Sequence, residues 1–269
     1  MKSNYKVQVY PFLLDPSPWP FLMSFAALFV TTGMVLVMHT YVNSKQLLIY
    51  GFFMVLLVMF LWLRDVVRES TLLAKQTSLI RSNLRIGFVL FIVSEVMFFF
   101  AFFWAYFHSS LSPVIQIGSA WPPVGIEVFR AWDVPLLNTA ILLISGASVT
   151  WVQYAIIAGL YDEVIVGFVV TLFLSFLFLF FQFKEYVSAA YGISDGIYGS
   201  VFYLLTGFHG FHVMIGTIFL FICFIRFYLG HFNPKGYSGF AFAAWYWHFV
   251  DVVWLFLFVS VYVWGSTGI

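Results

Sequence analysis

Glu95, His209, His212, His248 and Asp251 are the residues whose type and position could do chemistry in this sequence. Each lies inside a long apolar run. Glu95 sits almost at the centre of Ile86–Phe107, and Asp251 near the centre of Ala241–Trp264. His209 and His212 flank the centre of Ile197–Ile225, and His248 stands one helical turn before Asp251. An ionisable side chain at mid-bilayer costs about 2.5–3.5 kcal/mol on insertion scales for Asp, Lys or Arg. Such groups therefore pair, lose their charge or serve a function. Their similar depth allows these five to meet.

Three readings stand open for Glu95. It is a carboxyl held neutral by apolar surroundings or bonded to a neighbouring helix, a proton relay, or a metal ligand. No chain of acids leads to it, which weighs against a relay. Carboxylate metal helices usually carry Glu-x-x-His on one helix, and Phe98 stands at that place. His209 and His212 are spaced i,i+3 and share roughly one helix face. Metal or haem ligation is the sharp reading, and interhelical hydrogen bonding the heavier one. His248 and Asp251 have the same spacing, as a carboxylate holding an imidazole requires. The third and sixth stretches are expected to join through a Glu95–His212 pair, both groups largely neutral.

The elements that must position these groups follow from composition. The chain has 269 residues, 63% hydrophobic and only 9% charged, with a mean hydropathy of +0.99. A soluble domain carries about 25% charged residues, so the natural solvent here is a bilayer. A net charge of +1 implies no nucleic-acid or acidic partner. Cys223 is the only cysteine, which excludes an internal disulfide, a multi-cysteine zinc site and an iron–sulfur cluster. The 36 Phe read as lipid-facing bulk before any aromatic binding site. Met1 to Pro20 shows neither an Arg-rich presequence nor a cleavable signal, so direct insertion or synthesis inside the organelle is expected.

A bilayer core of about 30 Å needs about 20 apolar residues. Seven stretches meet or nearly meet this, the second by borrowing Gln46 and Arg64 at its ends, at Trp19–His39, Leu47–Leu63, Ile86–Phe107, Leu136–Leu160, Val164–Phe183, Ile197–Ile225 and Ala241–Trp264. The second is the shortest. Ser17 is expected to cap the first helix with Pro18 at its first position, and Ser194-Asp195-Gly196 to cap the sixth. Trp121-Pro122-Pro123 interrupts the loop before the fourth. Trp19, Trp62, Trp104, Tyr262 and Trp264 read as an interfacial belt. Ser145-Gly146-Ala147-Ser148 reads as a close-packing stripe.

Lys2, Lys6, Arg64, Arg68, Lys75, Arg81, Arg85, Arg226 and Lys235 fall on one side, and only Lys45, Arg130 and Lys184 on the other. This asymmetry puts the N-terminus inside and the C-terminus outside. The chain reads as one integral membrane domain over 1–269. Helices one and two span about 17–64, a charged connector 64–85, and helices three to seven about 86–265. Arg64, Arg68 and Glu69 on the inside face read either as snorkelling helix ends or as a grip for lipid phosphate. Arg226 and His231 leave the sixth helix on the same side. A free-standing proton or solute transporter built on the Glu/His cluster is the alternative. The lack of inverted repeats and the unbroken helices weigh against it, and the orientation disfavours a receptor.

The residues alone stop at a seven-helix protein with a polar cluster. Several segments go further. They include Pro16-Ser-Pro-Trp-Pro20, Trp62-Leu-Arg-Asp-Val-Val-Arg-Glu-Ser70, Ser94-Glu-Val-Met-Phe98, Phe103-Trp-Ala-Tyr-Phe-His-Ser-Ser110 and Trp121-Pro-Pro-Val-Gly-Ile126. They continue with Pro135-Leu-Leu-Asn-Thr139, Ile193-Ser-Asp-Gly-Ile-Tyr-Gly-Ser200, Thr206-Gly-Phe-His-Gly-Phe-His212 and Ala244-Trp-Tyr-Trp-His-Phe-Val-Asp251. In this order they resemble the cytochrome c oxidase subunit III family, its mitochondrial members most closely.

The resemblance implies seven helices split two plus five by a V-shaped, phospholipid-filled cleft. It implies a core, non-redox subunit of respiratory complex IV. This chain would bind no metal or cofactor, with haem a and copper in partner subunits. It implies contact mainly with subunit I, then with subunit II and accessory subunits, and through a supercomplex with other respiratory complexes. It implies structural phospholipids, support of proton uptake, and a cleft that has been considered as an oxygen route. The expected place is the mitochondrial inner membrane, with a bacterial plasma membrane as the alternative. Glu95 corresponds to the family's carbodiimide-reactive carboxyl. Arg68, Glu69, Arg226 and His231 match positions near lipid headgroups. Lys75-Gln76 stands where many members have His-His, and Ala241 where Glu is usual, so lipid contacts there are not carried over.

Overall fold

The computed structural model describes residues 16–71, 78–232 and 236–266. Lys2, Lys6, Lys75, Gln76 and Lys235 therefore lie outside the described residues. The fold is all-α. Its helices are α1 (Trp19–Met38), α2 (Ser44–Thr71), α3 (Ser78–Leu111), α4 (Val134–Ala158), α5 (Tyr161–Ser188), α6 (Ile197–Tyr228) and α7 (Ser238–Leu257). Each is long and apolar enough to cross a membrane, and each covers one of the seven apolar stretches. Helix α7 runs on into a π-helical stretch, Phe258–Val263, and a 3₁₀ turn, Trp264–Ser266.

The helix ends depart from the apolar runs. Over the second stretch, the shortest of the seven, α2 reaches 28 residues, against 20 in α1, by extending past both ends. It continues through Arg64, Asp65, Arg68 and Glu69, and α3 starts before Arg81 and Arg85. Arg and Glu are good helix formers, so a helix continues past the point where its hydropathy falls. The charged segment 64–85 is thus carried largely on helix ends. At the start of α1, Pro18 takes the cap position, Pro20 lies in the first turn, and the Trp19 amide donates to Ser17 Oγ at 3.4 Å. Gly196 caps α6 without a side-chain bond. Asp195 instead accepts the Gly192 amide at 2.7 Å, tightening the preceding turn.

Contacts divide the chain into two compact units, Met1–Leu84 and Arg85–Ile269. In the first, α1 and α2 form a hairpin whose backbones nearly touch. A Cβ on Gly33 would stand 2.8 Å from the Leu48 backbone, and one on Gly51 2.7 Å from the Val30 backbone. In a bilayer, where lipid tails are as apolar as leucine, close approach of this kind drives helix pairing. Trp19 Nε1 ties the hairpin's open end by donating to Asp65 Oδ2 at 2.8 Å. Gly51→Val is expected to destabilise the hairpin by about 1–3 kcal/mol, the usual cost of overpacking. Thermal unfolding of the variant measures this, and an unchanged midpoint refutes it.

In the second unit, α4 to α7 form the packed core, and α3 joins it through aromatic rings. Gly159 ends α4 in the left-handed conformation, φ 74°, which lets its amide reach the Ala155 and Ile156 carbonyls. Helices α4 and α5 meet at Ser148 and Thr171, whose hydroxyls are 2.7 Å apart. The serine stripe serves this packing and more. Ser145 Oγ accepts the buried Trp247 indole N–H at 3.0 Å, and Thr139 Oγ1 accepts that of Trp254 at 2.9 Å. A buried indole needs such a partner.

Candidate functional site

Glu95 and His212 do meet. Glu95 Oε2 lies 2.8 Å from His212 Nε2, joining α3 to α6. The other ring nitrogen, Nδ1, lies 2.6 Å from the Phe208 carbonyl. A carbonyl only accepts, so Nδ1 carries hydrogen. Two protonation states then satisfy the pair. Either a neutral carboxyl donates to a bare Nε2, or an imidazolium donates to a carboxylate. One proton is shared and the net charge is zero in both. Phe99 packs edge-on against the imidazole at 4.9 Å, with Tyr246 stacked at 6.3 Å. The His212 side chain is 9% exposed and that of Glu95 23%.

The other members of the set lie apart from this pair. His209 is buried between Phe178 and Trp254, and its Nε2 donates to the Val250 carbonyl of α7 at 3.2 Å. The i,i+3 histidines therefore serve different neighbours. His248 and Asp251 are 3.8 Å apart, beyond hydrogen-bond reach. They remain at ion-pair distance, as their spacing suggests, and Thr150 of α4 lies 3.3 Å from His248 Nε2. Asp251 is buried against Gly146, where a Cβ would stand 2.5 Å from Oδ2. Spacing along one helix puts two residues on one face but leaves rotamers to the neighbouring helix. Among the described residues, no three His, Cys, Asp or Glu side chains are placed to hold a metal ion.

The basic residues fall in both units. Arg64 grips Asp65 through Nε and Nη2, at 3.0 and 2.8 Å, and Arg68 is exposed. Glu69 lines a pocket of about 190 Å³ with Pro16, Trp19, Trp62 and Asp65. In the second unit, the Arg226 guanidinium lies 4.6 Å from the Phe232 ring centroid, and its Nε has no hydrogen-bond partner. The His231 amide donates to the Arg226 carbonyl at 2.9 Å, and His231 Nδ1 is likewise unpartnered. Ala241 lies half-buried in α7.

Comparison with known proteins settles the kind of molecule. Residues 10–266 match the family model of cytochrome c oxidase subunit III. The chain is 59% identical over 260 residues to cytochrome c oxidase subunit 3 of Marchantia polymorpha, covering 96% of this chain and 98% of that one. It is 58% identical to the Arabidopsis thaliana protein of the same name, over 94% and 96% of the two chains. The Pylaiella littoralis protein is 56% identical over 98% of each. The chain belongs to the cytochrome c oxidase subunit III family. It is accordingly a subunit of an oxidoreductase complex and a multi-pass protein of the mitochondrial inner membrane.

In this subunit III chain, one polar centre escapes a reading by hydropathy. Glu185 of α5 is 3% exposed, and its Oε1 accepts the Tyr262 hydroxyl at 2.6 Å. Gln182 and Asn138 are buried beside no direct partner. Tyr262 is thus a core residue rather than part of an interfacial belt, since the π-helical stretch turns its ring inward onto Glu185. Glu185 lies two residues past the apolar run Val164–Phe183 and reads there as a helix end. The signal that could have found it is the i,i+3 spacing of Gln182 and Glu185, two polar residues on one face of a continuing helix.

Proposed function

We propose that this chain is the non-redox scaffold of the oxidase, standing against subunit I, steadying the catalytic core and sustaining proton uptake during oxygen reduction. Subunit II and accessory subunits are its further neighbours, with other respiratory complexes joined through a supercomplex. Haem a and copper belong to those partner subunits. The observation that carries the reading is the Glu95–His212 pair. Both imidazole nitrogens are committed, one to a backbone carbonyl and one to the carboxyl, inside an aromatic cage. Such a group cements two helices at mid-membrane and offers no free ligand position on the ring. A mild-detergent native gel stained for haem tests the assignment. Co-migration with a haem-bearing band containing subunits I and II is expected. Migration alone, with proton flux in liposomes abolished by Glu95→Gln, overturns it in favour of the transporter.

In the same reading the basic helix ends of each unit hold structural phospholipids. Arg68 is an exposed cation, and Arg226 holds its guanidinium over the Phe232 ring near the end of α6. An arginine grips a phosphate through parallel N–H bonds, which lysine cannot reproduce. Arg226→Lys is therefore expected to lower the phospholipid retained per purified complex, and Arg226→Ala to lower it further. Lipid mass spectrometry of the washed complex reads this, and an unchanged lipid content refutes it.

A further inference from the structure

Asn138, Gln182 and Glu185 are 0%, 5% and 3% exposed, and five of their polar atoms have no hydrogen-bond partner. These are both amide atoms of Asn138, both of Gln182, and Oε2 of Glu185. Buried polar atoms in native proteins are nearly always paired, with protein or with ordered water. The three residues also share a depth. Helices α4 and α5 run antiparallel, with Ser148 against Thr171 and Gly167 against Val152. Ten residues back along α4 from Ser148 is Asn138, and ten forward along α5 from Thr171 is Phe181. Asn138 therefore stands level with Gln182, one turn from Glu185. From α7, Tyr262 closes the same level by its bond to Glu185. It does so from a π-helical stretch, an irregularity that often marks a functional position.

We propose that Asn138, Gln182 and Glu185 enclose an internal hydration site, in which ordered water bridges the two amides and the free carboxyl oxygen. The donor and acceptor set suits water better than any ion. Two amides offer both donors and acceptors, and a buried water commonly makes about three hydrogen bonds. A bound metal cation would take only the two amide oxygens and the carboxyl, leaving both buried NH2 groups without an acceptor, whereas water serves both kinds of group. The site is remote in sequence and partners from Glu95, and its hydration does not depend on the scaffold role of the chain. It leaves Glu185 reachable by protons where a dry pocket would isolate it.

A cryo-electron microscopy map of the intact oxidase, sharp enough to show waters, decides the matter. Density within hydrogen-bond distance of Glu185 Oε2 and of at least one of the two amides is expected. Gln182→Leu should then lose the density at that position. If that variant does not assemble, the unsubstituted complex still decides. Side chains that bond directly to one another with no density between them overturn the proposal. So does density that strengthens when rubidium replaces sodium in the buffer, which marks a cation site.

Discussion

Trp247→Ala is expected to destabilise the protein by about 3–5 kcal/mol, the range for removing a buried aromatic. Trp247 is fully buried in α7, and its indole touches two other helices. Its N–H donates to Ser145 of α4 at 3.0 Å, and its ring edge fills the space left by Gly216 of α6, where a Cβ would stand 2.9 Å away. Within a bilayer, burial from water no longer drives helices together, so the loss falls on dispersion contacts and the one hydrogen bond. Trp247→Phe keeps most of the contacts and strands the Ser145 hydroxyl, whose own bond to the Leu142 carbonyl remains. It should cost the aromatic volume difference plus about 1 kcal/mol for the hydrogen bond. The thermal midpoint of the purified oxidase, followed by release of this chain, ranks the variants. An alanine variant that dissociates at the unsubstituted temperature removes the prediction.

His212→Leu is expected to cost about 2–3 kcal/mol, less than the 3–5 kcal/mol for breaking a fully buried ion pair. Two features lower the figure. The Glu95 side chain keeps 23% exposure, and the pair carries no net charge in either proton arrangement. Glu95→Gln is expected to be milder, under about 1 kcal/mol, because the amide N–H still donates to Nε2. A double variant that pairs His212→Leu with Glu95→Leu should lose less than its two single losses combined, since those two changes each remove the same bond. Strict additivity in chemical denaturation of the four proteins would show the 2.8 Å contact to be energetically silent.

The hydropathy of the chain and the chemistry of lipid together dictate most of the fold. Hydrocarbon offers backbone amides no partner, so a long apolar run must satisfy them internally as a helix. Each of the seven runs accordingly contains one helix. Where hydropathy was a poor guide, the reason is local. Residues Arg64–Thr71 and Ser78–Arg85 remain helical beyond the apolar runs, because adding a residue to an existing helix is far easier than starting one. Tyr262 is a core ring rather than an interfacial one, and Glu185, two residues past its apolar run, is a buried acid that hydropathy does not single out.

What the sequence alone determined is the set of seven helices, the family, and the depth at which each buried polar group sits. Depth is local, since a residue's place in its own helix fixes it. Partner choice is not local. Glu95 could bond any donor at its level, and only the packing of α3 on α6 selected His212. His248 and Asp251 share a helix face, which their spacing shows, but that Thr150 and Gly146 of α4 are their further neighbours is set by packing. The Glu185–Tyr262 bond needed a π-helical turn that no propensity foretells. Hydrogen bonds between helices depend on rotation and register about axes far apart in sequence, and those are settled only when the helices pack.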